Sequence, residues 1–159
     1  MIDTRRNDWY FLTATTIGWV GALLIATWDF LVLQDAKYQI GVVSITGLGL
    51  FMAGVAVRIE ARLILGRRFT HGLKIVEGHT LVKHGLYRRV RHPAYFGSIL
   101  LDSGLPLLLN SIFGLLLMQL TSFGLLFRIR IEEDMLISES GDEYREYMKR
   151  TKKIIPFIY

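Results

Sequence analysis

With 159 residues, 52% hydrophobic and 21% charged, and a mean hydropathy of +0.36, the chain reads as one domain, residues 1–159, of a membrane protein rather than an ordinary soluble one. Its net charge of +5 sits in polar blocks between long apolar runs, which excludes a disordered chain and argues against a nucleic-acid partner. Having no cysteine excludes a disulfide framework, a thiolate nucleophile and a Cys-based zinc site, so any chemistry falls to His, Tyr, Arg, carboxylates or a cofactor.

Residues 11–33 are apolar apart from threonines and Asp29, and at about 1.5 Å per residue they can cross a hydrocarbon core of about 30 Å. No small-residue cleavage pattern follows a short apolar core, so this run is read as a membrane span and not as a removable signal. A second span is expected over 40–57, and the polar link 34–39 is short enough to force an antiparallel pair. Gly18, Ala22 and Ala26 in the first run, and Gly49 and Ala53 in the second, have the small-xxx-small spacing that lets helices approach closely. The apolar stretch from Pro93 to Phe127 is interrupted at Asn110 and Ser111, which predicts two short spans, 93–109 and 111–127, joined by a tight turn. Asp29 and Asp102 lie inside apolar segments, where a carboxylate is expected near the interface or against a polar partner. Trp9, Trp19 and Trp28 read as belt anchors or packing residues.

Arg5 and Arg6 precede the first span, and the remaining basic residues, Lys37 excepted, fall within 58–91 and 128–159. With four spans all three blocks lie on one face, which the positive-inside rule makes cytoplasmic. The expected fold is therefore an all-α, multi-pass integral membrane protein of about four transmembrane helices. Both termini face the cytoplasm, and a polar site is built from the cytoplasmic segments 58–92 and 128–159. The tail should be helical through Ser138, break at Gly141, and resume with Asp142 capping a short turn that carries Tyr144, Tyr147 and Met148.

Two clusters carry candidate chemistry. The first runs from His79 to Tyr87 and on through Arg91, His92, Pro93, Ala94, Tyr95, Phe96 and Gly97. Pro93 suits the first residue of a helix, which puts His92 at the helix start, where free N–H groups favour an anion. Anchoring of Arg88, Arg89 and Arg91 to lipid headgroups is the competing explanation. The second cluster is Arg128 to Asp134. Arg128 and Glu132 are four apart and share a helix face, either as a simple ion pair or as receivers of an anion and a cation respectively. His71, His79 and His84 lack the carboxylate spacing of a metal site, so no metal is expected. No G-x-G-x-x-G motif follows a strand, which excludes a Rossmann cofactor domain.

Taken together, His79-Thr80-Leu81-Val82, Gly85-Leu86-Tyr87, Arg91-His92-Pro93-Ala94-Tyr95, Glu132-Glu133 and the segment Gly141 to Tyr147 resemble the isoprenylcysteine carboxyl methyltransferases and their prokaryotic relatives, which share features with phospholipid methyltransferases. The resemblance covers roughly the last 90 residues, in family order and at similar spacing. It implies S-adenosylmethionine as methyl donor, bound between the cytoplasmic ends of the last two membrane helices. By the same resemblance the cofactor-binding residues are His79, Thr80, Leu81, Val82, Tyr87, His92, Pro93, Ala94, Tyr95 and Glu132. Arg128 matches the arginine that engages the methyl acceptor, and Lys74 falls near a further cofactor position behind a shorter loop.

The implied reaction is transfer of a methyl group to the carboxylate of a lipophilic acceptor that enters sideways from the bilayer. A carboxylate is ionised at neutral pH and needs no general base. Arg128 would orient it, while Glu132 balances the positive charge of the cofactor at its ammonium or its sulfonium. A phospholipid amine is the alternative acceptor; it must lose a proton, for which His84 or Tyr95 would serve. An NADPH-dependent membrane sterol or ene reductase is a further alternative, suggested by an Arg-His-Pro segment and the ending Pro156-Phe157-Ile158-Tyr159. The adjacent carboxylates Glu132 and Glu133 would repel a phosphate-rich dinucleotide and favour the methyl donor. A non-enzymatic membrane scaffold would treat every polar cluster as headgroup anchoring.

Overall fold

The computed structural model describes residues 4–33, 40–66, 81–156 and 158. Four helices account for most of them: α1 (Thr4–Trp28), α2 (Val42–Leu65), α3 (Pro93–Leu108) and α4 (Ile112–Arg150). A π-helical turn, Asp29–Leu33, continues α1, and a single 3-10 turn, Gly85–Arg88, precedes α3.

Hydropathy placed the helices well but not all of their ends. Three stretches are long and apolar enough to cross a membrane, Trp9–Val32, Val42–Leu65 and Ile112–Arg150. The run expected as a third span forms α3, whose 16 residues reach only about 24 Å, short of a full hydrocarbon core. The tight turn stands where it was expected: Asn110 takes a left-handed conformation (φ 53°), and the Ser111 hydroxyl caps α4 by accepting from the Gly114 amide at 3.0 Å. α4 does not stop with its apolar half at Phe127 but runs on as helix far into the charged tail. It is interrupted only at Gly141, whose φ of 53° and ψ of −124° mark the predicted break. α2 likewise continues eight residues past the expected end at Val57.

α1 packs against α4, α2 against α3, and α3 against α4. The α1–α4 seam uses the expected small residues: Ala22 and Ala26 are fully buried, Ala26 lies against Gly114, and Gly18 faces Thr121. In α2 the small pair is a different one. Gly49 and Ala53 face outward, whereas Gly47 and Gly54 abut the α3 backbone at Gly104, Leu107 and Leu108 and at Gly97 and Leu101. Residues seven apart share a helix face, and positions 49 and 53 lie on the opposite one. A Cβ on Gly104 would sit 2.4 Å from the Phe51 amide nitrogen, a backbone atom that cannot move aside alone. Gly104→Val is therefore expected to lower stability in detergent by about 1–3 kcal/mol or more, and Gly49→Ala, with open space around it, to leave thermal unfolding unchanged.

Asp102 shows how the bundle tolerates a buried carboxylate. Trp19 Nε1 donates to one of its oxygens at 3.0 Å and Ser122 Oγ to the other at 2.8 Å, so this residue of α3 ties together α1 and α4. Trp19 is thus a hydrogen-bonding residue as well as a packing one. Trp9 and Trp28 stand exposed near the two ends of α1, as anchors would. Asp29 is buried at the start of the π turn. At the other end of α3, Ser44 and Asn110 exchange hydrogen bonds, which puts the α3–α4 turn beside the start of α2. The charged segments gather at the opposite end, and there the candidate site lies.

Candidate functional site

Pro93 opens α3 with its missing N–H at the first helical position, and this fixes His92 at the N-cap. The N–H of His92 is not left for an anion, however, because it donates to the Lys153 carbonyl at 3.1 Å. The chain after α4 returns alongside residues 89–92. Arg91 N–H donates to Lys152 O at 2.8 Å, Lys152 N–H donates to Arg89 O at 2.9 Å, and Val90 and Lys152 form a parallel bridge. The C-terminal segment thereby closes one side of the α3 start, a long-range pairing that no local pattern announces.

Four side chains converge where α3 begins and the apolar half of α4 ends. The Arg128 Nε donates to the Tyr95 hydroxyl at 3.0 Å, and that hydroxyl donates to Glu132 Oε2 at 3.0 Å. Arg128 and Glu132 share a face of α4 as expected, but Tyr95 of α3 stands between them as a relay. His92 Nδ1 lies 3.9 Å from the same Glu132 oxygen, and the His92 and Tyr95 rings lie 5.7 Å apart. Arg128 is buried, and its guanidinium lies 5.6 Å from the Phe11 ring centroid of α1.

The two adjacent glutamates have opposite environments. The Glu132 side chain keeps 35% of its surface exposed, and among the described residues it pairs with no lysine or arginine. Glu133 is buried and fully engaged: Arg91 Nε reaches it at 2.7 Å, Lys153 Nζ at 2.9 Å and His92 Nε2 at 3.4 Å. Arg91 Nη1 donates to the carbonyls of Met148 and Thr151. Burial alone would raise the Glu133 carboxyl, but hydrogen bonds from His92, Lys153 and Arg91 outweigh it and bring the pKa down to about 2. A carboxyl lowered from 4.5 to about 2 on folding stabilises the protein fully above pH 4.5, and this contribution disappears as the pH falls through about 2. On the order of 3 kcal/mol is at stake. Acid titration of the unfolding midpoint should show a loss in that window, and Glu133→Gln should flatten the loss there.

The other expected site residues divide into three groups. Val82 and Tyr87 are buried with Ala61 in a small core against Ile64, Leu65, Leu86 and Ala94, so they form the floor behind the cluster. The Tyr87 carbonyl accepts from the buried Tyr147 hydroxyl at 2.6 Å, and Tyr147, raised by burial to about 12, stays a donor. Gly85 holds this floor to α2: its φ is 59° and a Cβ there would strike Ile64. Pro93 is buried, Ala94 is half-buried, and Leu81 is half-buried in irregular chain before Val82. His79 and Thr80, with His71 and Lys74, lie outside the described residues. Sequence reading missed Phe11, the Lys153 contact and the division of labour between Glu132 and Glu133. Only the last had a signal, since neighbouring helix residues point about 100° apart and so meet different surroundings.

Beside the cluster, between all four helices, lies a cavity of about 680 Å³. Its wall is mostly apolar, with Trp19, Leu23, Phe51, Leu101, Leu105 and Met118 prominent, and Arg58, Ser98 and Asp102 supply polar points. Arg58 bonds Ser98 Oγ across α2 and α3. Among the described residues no group of three His, Asp or Glu could hold a metal ion.

A family model described as the isoprenylcysteine carboxyl methyltransferase family matches residues 47–138. A probable protein-S-isoprenylcysteine O-methyltransferase of Oryza sativa subsp. indica is 35% identical over 123 residues, covering 73% of this chain and 62% of its own. The protein-S-isoprenylcysteine O-methyltransferase of Homo sapiens is 36% identical over 129 residues, covering 76% of this chain and 43% of its own. The solved structure of the eukaryotic intramembrane Ras methyltransferase, isoprenylcysteine carboxyl methyltransferase, superposes with a TM-score of 0.74 at 31% identity over 90% of this chain and 52% of that one. The chain thus spans from under half to about three fifths of the length of these relatives. Three membrane-length helices and the likeness to an intramembrane enzyme make it an integral, multi-pass membrane protein.

Proposed function

The chain belongs to the isoprenylcysteine carboxyl methyltransferase family, whose model covers more than half of it, and on that premise we propose that it methylates the carboxylate of an S-prenylated cysteine using S-adenosylmethionine. The observation that carries this reading is the hydrogen-bond relay through the Tyr95 hydroxyl that sets a half-exposed Glu132, paired with no lysine or arginine among the described residues, beside a buried Arg128. The donor set fits a cationic methyl donor: Glu132 has lone pairs to spare, and Arg91 and Lys153 are engaged with Glu133 instead. When bound, the cofactor supplies an electrophilic methyl group, so the protein has only to bind, orient and exclude water.

Each residue then has a defined task. Glu132 attracts the cation, and His92 and Tyr95 shape the wall beside it. Arg128 receives the acceptor carboxylate, and its fork is suited to two oxygens. Its Nε bond to Tyr95 fixes the guanidinium plane before the acceptor arrives, so orientation costs little when the acceptor docks. The acceptor is already anionic at neutral pH, and no base is required. The prenyl chain lies in the cavity, whose α4 wall runs from Leu125 to Met118, about 10 Å at the helical rise. By the family resemblance His79, Thr80 and Leu81 are further cofactor residues, and Val82, Tyr87, Pro93 and Ala94 support the site from behind. The clustering of basic residues in 58–91 and 128–159 supports a cytoplasmic site, with α3 as a short membrane hairpin arm.

The test is transfer of a labelled methyl group in detergent or liposomes to an S-farnesyl cysteine derivative with a free carboxylate, compared with its carboxamide and with phosphatidylethanolamine. Labelling of the free carboxylate alone, as a base-labile ester, supports the proposal. Labelling of the phospholipid amine alone would move the chain to N-methylation. A reductase reading draws no support from the relatives described above, which are named as methyltransferases.

A further inference from the structure

We propose that Glu133 is a positioning residue: it fixes the proton of His92 on Nε2, so that the bare Nδ1 and Glu132 Oε2 together form an acceptor pair for the ammonium group of the methyl donor. The inference rests on the methyl-donor reading above and adds to it the group that is recognised and the residue that prepares the site.

His92 is buried between two carboxylates. Its Nε2 faces Glu133 Oε1 at 3.4 Å, and that oxygen belongs to a carboxylate already held in place by Arg91 and Lys153. A carboxylate is only an acceptor, so the ring nitrogen that faces it must carry the proton. In the neutral ring the other nitrogen is then a lone pair. Nδ1 lies 3.9 Å from Glu132 Oε2, beyond hydrogen-bond range, and makes no hydrogen bond among the described residues. Two acceptors that distance apart repel each other and are reconciled by a donor placed between them. A tetrahedral ammonium has three N–H donors and positive charge, and can bond both while keeping a third for water or a carbonyl. A sulfonium has no N–H and would gain from Glu132 alone.

The frame around this pair is rigid on the Glu133 side and open on the Glu132 side. Arg91 and His92 are tied through their backbone N–H groups to Lys152 and Lys153, and Arg91 Nη1 clamps the Met148 and Thr151 carbonyls. The main chain that carries His92 is therefore held by the C-terminal segment, and its ring faces Glu133 through Nε2. Glu132 is held by a single bond from Tyr95 and keeps a third of its surface exposed.

Nitrogen-15 NMR of the apoprotein in detergent at about pH 8, above the ordinary imidazole range, reads the tautomer of His92 directly. A protonated Nε2 in the wild type, with a mixed population in Glu133→Gln, is expected. A protonated Nδ1 in the wild type would overturn the proposal, and this measurement needs neither turnover nor a bound methyl donor. Calorimetry supplies the second readout with S-adenosylhomocysteine, which has the ammonium but no sulfonium. His92→Leu should weaken its binding about tenfold or more, while His92→Asn, whose oxygen can stand near the place of Nδ1, should retain most of it. Equal losses in both variants would contradict an acceptor role. If only S-adenosylmethionine, and not its homocysteine product, depends on Glu132, the sulfonium is the recognised cation and the pairing with Nδ1 is wrong. Wild-type protein that binds neither compound would instead remove the methyl-donor reading, leaving the tautomer result to stand or fall by itself.

Discussion

Arg128→Ala is expected to abolish methyl transfer, lowering kcat/KM by about a hundredfold to a thousandfold, while S-adenosylmethionine binding changes by less than about threefold. The asymmetry follows from the relay. Arg128 reaches Glu132 only through the Tyr95 hydroxyl, and that hydroxyl still has Glu132 to donate to once the guanidinium has gone. What is lost is the proposed anion receiver and its packing on Phe11. Arg128→Lys should recover a minor part of the activity, since a point charge attracts a carboxylate but cannot hold both oxygens in one plane. Loss of cofactor binding and transfer together would make Arg128 a structural or cofactor-directed residue.

Glu132→Ala should act in the opposite sense, weakening S-adenosylmethionine binding about a hundredfold with little change in thermal unfolding. The partner carboxylate gives the control. Glu133→Ala leaves Arg91, Lys153 and His92 facing an empty buried space, so the main effect should be a lower unfolding temperature, of the size seen when one member of a buried ion pair is removed, about 3–5 kcal/mol. Two neighbouring glutamates would then separate binding from stability. A large fall in stability for Glu132→Ala, or none for Glu133→Ala, would reverse the assignment drawn from their exposure.

Much of the fold was legible because apolar runs of membrane length are hard to mistake. The turn at Asn110 and Ser111 and the break at Gly141 were also readable, since an apolar run interrupted by short polar residues, and a glycine in a helical tail, have few other structural meanings. Helix in the tail through Ser138 was expected as well; that it joins the fourth span as one helix, and that helix resumes after Gly141 as far as Arg150, was not, because hydropathy registers where lipid ends and is silent on where a helix ends. The choice of Gly47 and Gly54 over Gly49 and Ala53 depends on which face of α2 meets α3, and spacing alone leaves both faces open. The site was legible as a set of residue types but not as an arrangement. His92, Tyr95, Arg128 and Glu132 do come together, whereas Val82 and Tyr87, carried by the same motif, turn into a core with Ala61. The engagement of Glu133 depends on Lys153 and on the pairing of the C-terminal segment with residues 89–92, contacts between distant parts of the chain that no periodicity encodes.

The most direct test of the central claim is a calorimetric titration of the detergent-purified protein with S-adenosylmethionine and, in parallel, with NADPH, each repeated on Glu132→Ala. Saturable binding of S-adenosylmethionine alone, lost in Glu132→Ala while the variant remains folded, is the predicted result. Binding of NADPH alone, or S-adenosylmethionine binding that is unchanged in Glu132→Ala, would contradict the site described above.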